Sequence, residues 1–140
     1  YRINIINDFS RLKNKLFLRI MSSKLENIFK IQLINLFNDL LIVFSNDSFL
    51  LELKLVLEDK IKNPDFFKNL DYYFSKEVED CINNKDDKIL FRTNYTFVPT
   101  SKEDILKIRL LNYWKTLSNK NKDKVWCYLN ILLQIYNKIG

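Results

Sequence analysis

The stretch "SKLENIFKIQLINLFNDLLIVFS", residues 23–45, decides the fold. Its apolar side chains recur at spacings of three and four, which is the repeat of an α-helix, and they cover most of the girth of that helix. Ser23 and Glu26 stand at the spacing of a capping box, so we expect the helix to begin there. Charged residues such as Asp39 interrupt the run, and Asp costs about 3 kcal/mol at a bilayer centre. We therefore expect a buried core helix and no membrane span.

The flanking sequence repeats the helical pattern on both sides of this stretch. An amphipathic helix is predicted over residues 8–21, and a turn followed by a helix over 45–63, with Asp47 or Ser48 as the cap. Asn63-Pro64-Asp65 predicts an N-cap at Asn63 and a helix over about 65–83, since Pro is tolerated at the first helical position. Two further helices, between Ser101 and the end of the chain, are predicted to form an antiparallel hairpin around a loop "SNKNKD" at 118–123.

Residues 83–100 have a different character. The run "ILFRTNYTFV" is rich in β-branched and aromatic residues and lacks a helical stripe, which favours a short extended or hairpin segment near residues 88–98. The predicted fold class is therefore mainly α, a compact bundle of five to six helices. A chain of 140 residues has the length of one ordinary domain, so residues 1–140 are expected to form a single helical domain. The chain opens on Tyr1, which is consistent with a piece of a longer product.

The composition limits what the net charge can mean. The chain has no Ala, one Gly and two Pro, while Asn, Lys, Ile and Phe abound, which indicates a very AT-rich genome. Mutation toward AT-rich codons raises the number of Lys residues, so the formal charge of +6 is weak evidence for an acidic partner. The charge is nevertheless uneven, because residues 100–140 hold eight basic and three acidic residues. A basic surface of this kind can bind phosphates.

Two basic clusters are candidate nucleic-acid-binding sites. In the functional interpretation, their cations contact phosphates while Tyr128 or Trp126 stacks on bases. In the alternative, the lysines are solvated loop residues and Trp126 fills the core. We favour this alternative, since the Asn residues among the lysines and the negative charge of Asp123 weaken the positive electrostatic potential. The candidate residues are Lys115, Lys120, Lys122, Lys124 and Tyr128 near the C-terminus, and Arg11, Lys15 and Arg19 near the N-terminus.

The usual catalytic sets are missing from the sequence. There is no His, which is the commonest general base and nitrogen metal ligand. Glycine-rich phosphate loops need several Gly residues, and this chain has one, at its end. Cys81 and Cys127 are too few for a zinc site, and we expect both to be free thiols that behave as small buried apolar groups. Only carboxylates could support catalysis, so no enzyme activity, cofactor or metal is predicted; these carboxylates are Glu77, Glu79, Asp80, Asp86 and Asp87.

The breadth of the apolar helix faces predicts a partner. A helical domain of this size cannot hide every Phe and Leu, and surplus apolar surface marks contact sites. We therefore expect a protein partner or a homo-oligomer, with nucleic acid as the alternative partner.

Two stretches resemble small uncharacterised proteins of the nucleocytoplasmic giant DNA viruses. One is "FNDLLIVFSND", residues 37–47, with Ser45 where those proteins have Pro. The other is "LKIRLLNYWKTLSNKNKDKVWCYLNILLQIYNKI", residues 106–139, which follows their W-x-x-L-S-x-x-N-K-x-x-I-W-x-Y-L pattern from Trp114 to Leu129, with Val125 at the Ile position. The resemblance implies a viral protein of the host cytoplasm or the virion, and it implies no catalytic residues. An AT-rich organelle genome, encoding a subunit of a large assembly, would explain the composition equally well.

Overall fold

Helices account for nearly all of the chain that the computed structural model describes, residues 2–88 and 102–139. The predicted mainly α fold with five to six helices is confirmed, and these residues contain no strand. The predicted extended or hairpin segment near residues 88–98 lies, beyond Lys88, outside the described residues. Six helices lie wholly within the described residues: α1 (Arg2–Val43), α2 (Ser48–Lys60), α3 (Phe66–Tyr73), α4 (Lys76–Asn84), α5 (Lys102–Thr116) and α6 (Asn119–Ile139). Asp87 and Lys88 are helical as well.

Helix α1 is one continuous helix of 42 residues, about 63 Å long. The prediction of two helices, over 8–21 and 23–45, was therefore wrong. The capping box of Ser23 and Glu26 lies inside the helix. Extending an existing helix is far easier than nucleating a new one, and no Gly or Pro stands near Ser23 to interrupt the backbone hydrogen bonds.

The connection from α1 to α2 is a tight turn with two residues in the left-handed region. Ser45 and Asn46 have φ angles of 51° and 58°. The turn is closed by a hydrogen bond of 2.8 Å from the Asn46 amide to the Leu41 carbonyl. Asp47 then caps α2, because its Oδ1 accepts hydrogen bonds from the amides of Phe49 (3.0 Å) and Leu50 (3.1 Å). This confirms the predicted Asp47 cap.

The single helix predicted over 65–83 is divided into α3 and α4. The first ends at Tyr73 with Phe74 as its C-cap, and Ser75 caps the second. Ser75 has an extended backbone, and its hydroxyl accepts a hydrogen bond of 3.4 Å from the Val78 amide. The proposed start at Asn63 and Pro64 was also wrong, because both residues belong to a turn and the residue preceding α3 is Asp65. A serine inside an apolar pattern can thus be a cap, as here, or a helical residue, as at position 23.

The predicted loop 118–123 is much shorter than expected. Helix α5 ends at Thr116 and α6 begins at Asn119, which leaves two residues between them. The Ser118 hydroxyl accepts a hydrogen bond of 3.2 Å from the Asn121 amide, as an N-cap does, so the helix includes the remainder of "SNKNKD".

The chain divides into two compact units, and each contains buried apolar side chains. The first unit contains α1, α2 and the residues from Gln134 onward; the second runs from Pro64 to Leu133. The expectation of a single domain over residues 1–140 stays a prediction. Buried side chains of the first unit are Phe29, Leu36, Leu41, Leu50 and Ile135, and those of the second are Leu70, Cys81, Ile82, Trp114, Leu117, Trp126, Leu132 and Leu133.

The stretch 23–45 contributes core residues to the first unit through Phe29, Leu36 and Leu41. Other apolar side chains of the same stretch, such as Ile31 and Ile42, are exposed. Within residues 2–88 and 102–139, no helix has both the length and the apolar content that crossing a membrane requires.

Candidate interaction surfaces

One stretch of α1 is exposed on every side. We call residues 8–21 the α1 arm; each of its side chains is exposed. Large apolar residues make up half of it, and five of them, at spacings of three, four, one and three, share one face. Those five side chains form the apolar face of the arm: Phe9, Leu12, Leu16, Phe17 and Ile20.

A basic ridge runs along a second face of the same arm. Arg11, Lys15 and Arg19 are four residues apart, so a helix places them one above the other. All three side chains are exposed. Successive helical residues are about 100° apart, which puts this ridge roughly 130° round the helix from the apolar face. The structure therefore groups the three predicted N-terminal cations, on a surface separate from the apolar one.

The C-terminal lysines are not brought together as one patch. Lys120, Lys122 and Lys124 lie in the first two turns of α6. Lys120 and Lys124 are exposed and four residues apart, so they share a face, and Tyr128 continues that face as a half-buried side chain. Lys122 lies on the other side, where its Nζ is 5.5 Å from the centre of the Trp114 ring. Lys115, at the end of α5, is exposed.

Trp114 is the centre of a cluster in the second unit. Its indole N–H donates a hydrogen bond of 3.0 Å to Oδ2 of Asp87, which is half-buried. Its ring meets that of Trp126 edge-on, with 5.3 Å between centroids and 80° between planes. The cation of Lys122 covers the same ring. Trp126 is buried, which confirms the interpretation of that residue as core.

This cluster was missed by reading the sequence, in which Lys122 was either a phosphate contact or, as we favoured, a solvated loop residue, and Asp87 was a weak catalytic candidate. A usable signal was present in Trp114 itself. A buried indole N–H normally finds a hydrogen-bond acceptor, so a Trp on the apolar face of a predicted helix indicates a polar partner nearby.

The acidic candidates occupy different places in the second unit. Asp80 forms a surface ion pair of 3.3 Å with Lys76 on the preceding turn of α4. Asp87 is engaged by the Trp114 indole, and Glu77 and Glu79 stand in the first turn of α4, where a carboxylate favours the helix dipole. Among the described residues, no three His, Cys, Asp or Glu side chains converge as metal ligands would.

The two cysteines are free thiols in different surroundings. Cys127 is exposed, whereas Cys81 is buried in the core of the second unit. Burial raises the pKa of the Cys81 thiol above its ordinary value, and the nearby carboxylates of Asp86 and Asp80 raise that pKa further. The protonated thiol therefore acts as a small apolar group, as predicted for Cys81, while the exposure of Cys127 was not expected.

No protein-family model, curated protein or solved structure matches this chain.

Proposed function

We propose that this protein is a non-enzymatic helical protein that acts through protein–protein contact, and that the apolar face of the α1 arm is its contact surface. The observation that carries the proposal is that every side chain of residues 8–21 is exposed, including five large apolar ones on one face. A contiguous apolar surface of this extent is typical of a binding site. The missing His and the scattered carboxylates support a role other than catalysis.

The arm also gains physically from a partner. Most of the stability of a helix in a protein comes from packing one face against other elements. None of the side chains of residues 8–21 is buried or half-buried, so this segment has little such packing. Covering a side chain such as Phe9 or Leu16 would contribute about 1.5–3 kcal/mol each. The arm is thus a preformed helix that binding to another protein surface would stabilise.

The test is a pair of matched double variants used as bait. Phe9→Glu/Leu16→Glu places two charges on the apolar face, and Asn14→Glu/Leu18→Glu places the same two charges on the far side of the same helix, where both side chains are exposed. Self-association measured by light scattering, and capture of proteins from cells that make this protein, should be lost only in the first variant. Equal loss in both variants, or unchanged association in the first, refutes the assignment of the arm as the contact surface.

The resemblance to giant-virus proteins extends this proposal to a component of virus assembly, located in the host cytoplasm or in the virion. Quantitative mass spectrometry of purified particles tests that extension. A protein that is present in infected cytoplasm and depleted from particles would not be a virion component, whereas a fixed copy number per particle would support it.

Nucleic-acid binding is the second candidate, because α6 aligns Lys120, Lys124 and Tyr128 on one face. Lys120→Glu/Lys124→Glu should abolish binding to labelled DNA and RNA, and Lys62→Glu/Lys68→Glu, with the same change in charge at exposed sites elsewhere, should not. Binding that does not weaken as salt rises, or that weakens equally in both variants, excludes this face as a phosphate-binding surface.

A further inference from the structure

The apolar surface of the arm continues along the whole of α1 as a regular stripe. Phe9, Ile20, Ile31 and Ile42 are spaced by eleven residues, which is three turns of a helix and about 16.5 Å. They are 69%, 55%, 58% and 77% exposed. The stripe therefore spans about 50 Å and passes from the arm onto the part of α1 that supplies core residues from its other faces.

We infer that the partner of this stripe is a second copy of the chain, paired antiparallel along α1; the inference rests on the proposed function of the arm. The stripe is self-complementary under a two-fold axis. If Phe9 lies opposite Ile42 of the second copy, then Ile20 lies opposite Ile31, and all four positions meet an apolar counterpart. A two-fold interface has this reciprocal property: if residue i contacts residue j of the second copy, then j contacts i of the second copy, so each contact occurs twice.

Charge decides between antiparallel and parallel pairing. The arm carries four cations and one anion, whereas residues 22–43 carry two of each. Parallel pairing would hold two basic arms side by side at a helix separation of about 8–10 Å. Antiparallel pairing instead lays each arm along residues 22–43 of the other copy, which have no net charge. The two Lys15 residues are then roughly 30 Å apart, well beyond the Debye length of about 8 Å at physiological salt, so their repulsion is screened.

The polar residues beside the stripe fit the same register. Lys13 and Asp39 flank the stripe on the same side, and antiparallel pairing brings Lys13 close to Asp39 of the second copy. At the centre, Lys24 and Asn27 lie on opposite flanks of the stripe, so the two-fold axis brings each of them beside its own counterpart in the second copy; both side chains are exposed. Because exposed charges are screened by water, the facing Lys24 pair costs little.

The area of the stripe is close to what a stable dimer needs. Phe17 and Ile28 adjoin the stripe and are also exposed, which gives six large apolar side chains on each copy. At on the order of 100 Å² of exposed area each, they supply about 600 Å² per copy, and a specific interface buries about 800 Å² per partner. The polar residues beside the stripe can supply the difference.

The test measures the mass of the 140-residue chain by light scattering and sedimentation equilibrium. The wild type should have twice the 17.0 kDa mass of a single chain. Ile20→Lys and Ile31→Glu should each weaken the dimer by at least about 100-fold, since a symmetric interface loses the side chain twice. Leu18→Lys is the matched control: Leu18 is 65% exposed on the opposite side of α1, so the dimer should be retained. Circular dichroism of each variant verifies that the helices are intact.

The double variant Ile20→Lys/Ile31→Glu tests the register. Antiparallel pairing brings each Lys opposite a Glu and should restore the dimer, whereas parallel pairing brings like charges together and should not. Failure of the double variant to re-associate overturns the antiparallel dimer.

A wild type that is monomeric at about 100 µM also overturns this inference. If that monomer still captures another protein through the face that Phe9→Glu/Leu16→Glu disrupts, the proposed function stands with a different partner. If it captures nothing, both proposals fall together.

Discussion

The hydrogen bond between Trp114 and Asp87 should be an important stabilising contact of the second unit. The Trp114→Phe substitution removes the indole N–H that donates to Asp87 at 3.0 Å and leaves most of the ring in place. A hydrogen bond to a charged group contributes about 1.5–3 kcal/mol, and the half-buried position of Asp87 argues for the lower end of that range. Weaker ring contacts with Trp126 and Lys122 add about 0.5 kcal/mol each. The expected loss in free energy of unfolding is therefore about 2–3 kcal/mol.

A double-mutant cycle isolates the hydrogen bond from the ring contacts. Asp87→Ala should cost about 1.5–2 kcal/mol, because it leaves the buried indole N–H without this acceptor. The double variant should be little worse than Trp114→Phe alone, which gives a coupling energy of about 1.5 kcal/mol. Asp80→Ala is the control, since it removes a carboxylate from an exposed ion pair and should cost less than about 0.5 kcal/mol.

Urea unfolding followed by tryptophan fluorescence is the appropriate assay. Both tryptophans of the chain, Trp114 and Trp126, lie in the second unit, so fluorescence reports on that unit while circular dichroism reports on all helices. Trp126 remains as the reporter in Trp114→Phe. A coupling energy below about 0.5 kcal/mol, or an effect of Asp87→Ala no larger than that of Asp80→Ala, would refute the assigned contact.

Three further changes test local features of the fold. Asp47→Ala should lower the free energy of unfolding by about 1–2 kcal/mol, because two amides of α2 lose their acceptor, while Ser48→Ala serves as a nearly neutral control in the same urea series. Ser118→Ala should cost about 1 kcal/mol and fray the start of α6, seen as faster amide exchange in that turn. A thiol reagent should label Cys127 rapidly and Cys81 only on unfolding, as quantified by mass spectrometry of native and denatured protein. The pKa of the Cys81 thiol is higher in the folded state than in the unfolded state. The folded state is therefore fully stabilised below the unfolded thiol pKa, and this stabilisation is lost as pH rises through the folded pKa. Cys81→Ala should remove this dependence of the free energy of unfolding on pH.

Periodicity predicted the helical class because apolar spacing depends on local geometry alone. It failed at the boundaries, where a serine can cap or continue a helix. Ser23, Ser75 and Ser118 each had a capping pattern or stood between apolar runs, and only the last two became caps. The choice depends on what each segment packs against, and the sequence does not contain that information in local form.

The basic surfaces were predictable in composition but not in grouping. Lysines at alternate positions were predicted to form a cluster in a loop, and in α6 the same spacing sends Lys122 to the opposite side from Lys120 and Lys124. The grouping of the basic residues in the arm was easier to predict, since Arg11, Lys15 and Arg19 stand at helical spacing in the sequence. The exposure of its apolar face was not readable, because the same pattern would suit a buried amphipathic helix.

Pairing along the α1 stripe is physically compatible with nucleic-acid binding by the other candidate cluster, the basic ridge of the arm, and the combination is testable. Pairing along the α1 stripe covers the side of the arm that bears Phe9 and leaves the basic ridge of Arg11, Lys15 and Arg19 in solvent, because the ridge lies roughly 130° away. A dimer would then present two ridges where a monomer presents one. If each ridge contacts up to three phosphates, the dependence of log K on log salt should steepen by up to about 2.7 between the Ile31→Glu monomer and the wild-type dimer. Equal slopes for the two proteins would mean that the ridges do not bind nucleic acid together, whatever the oligomeric state.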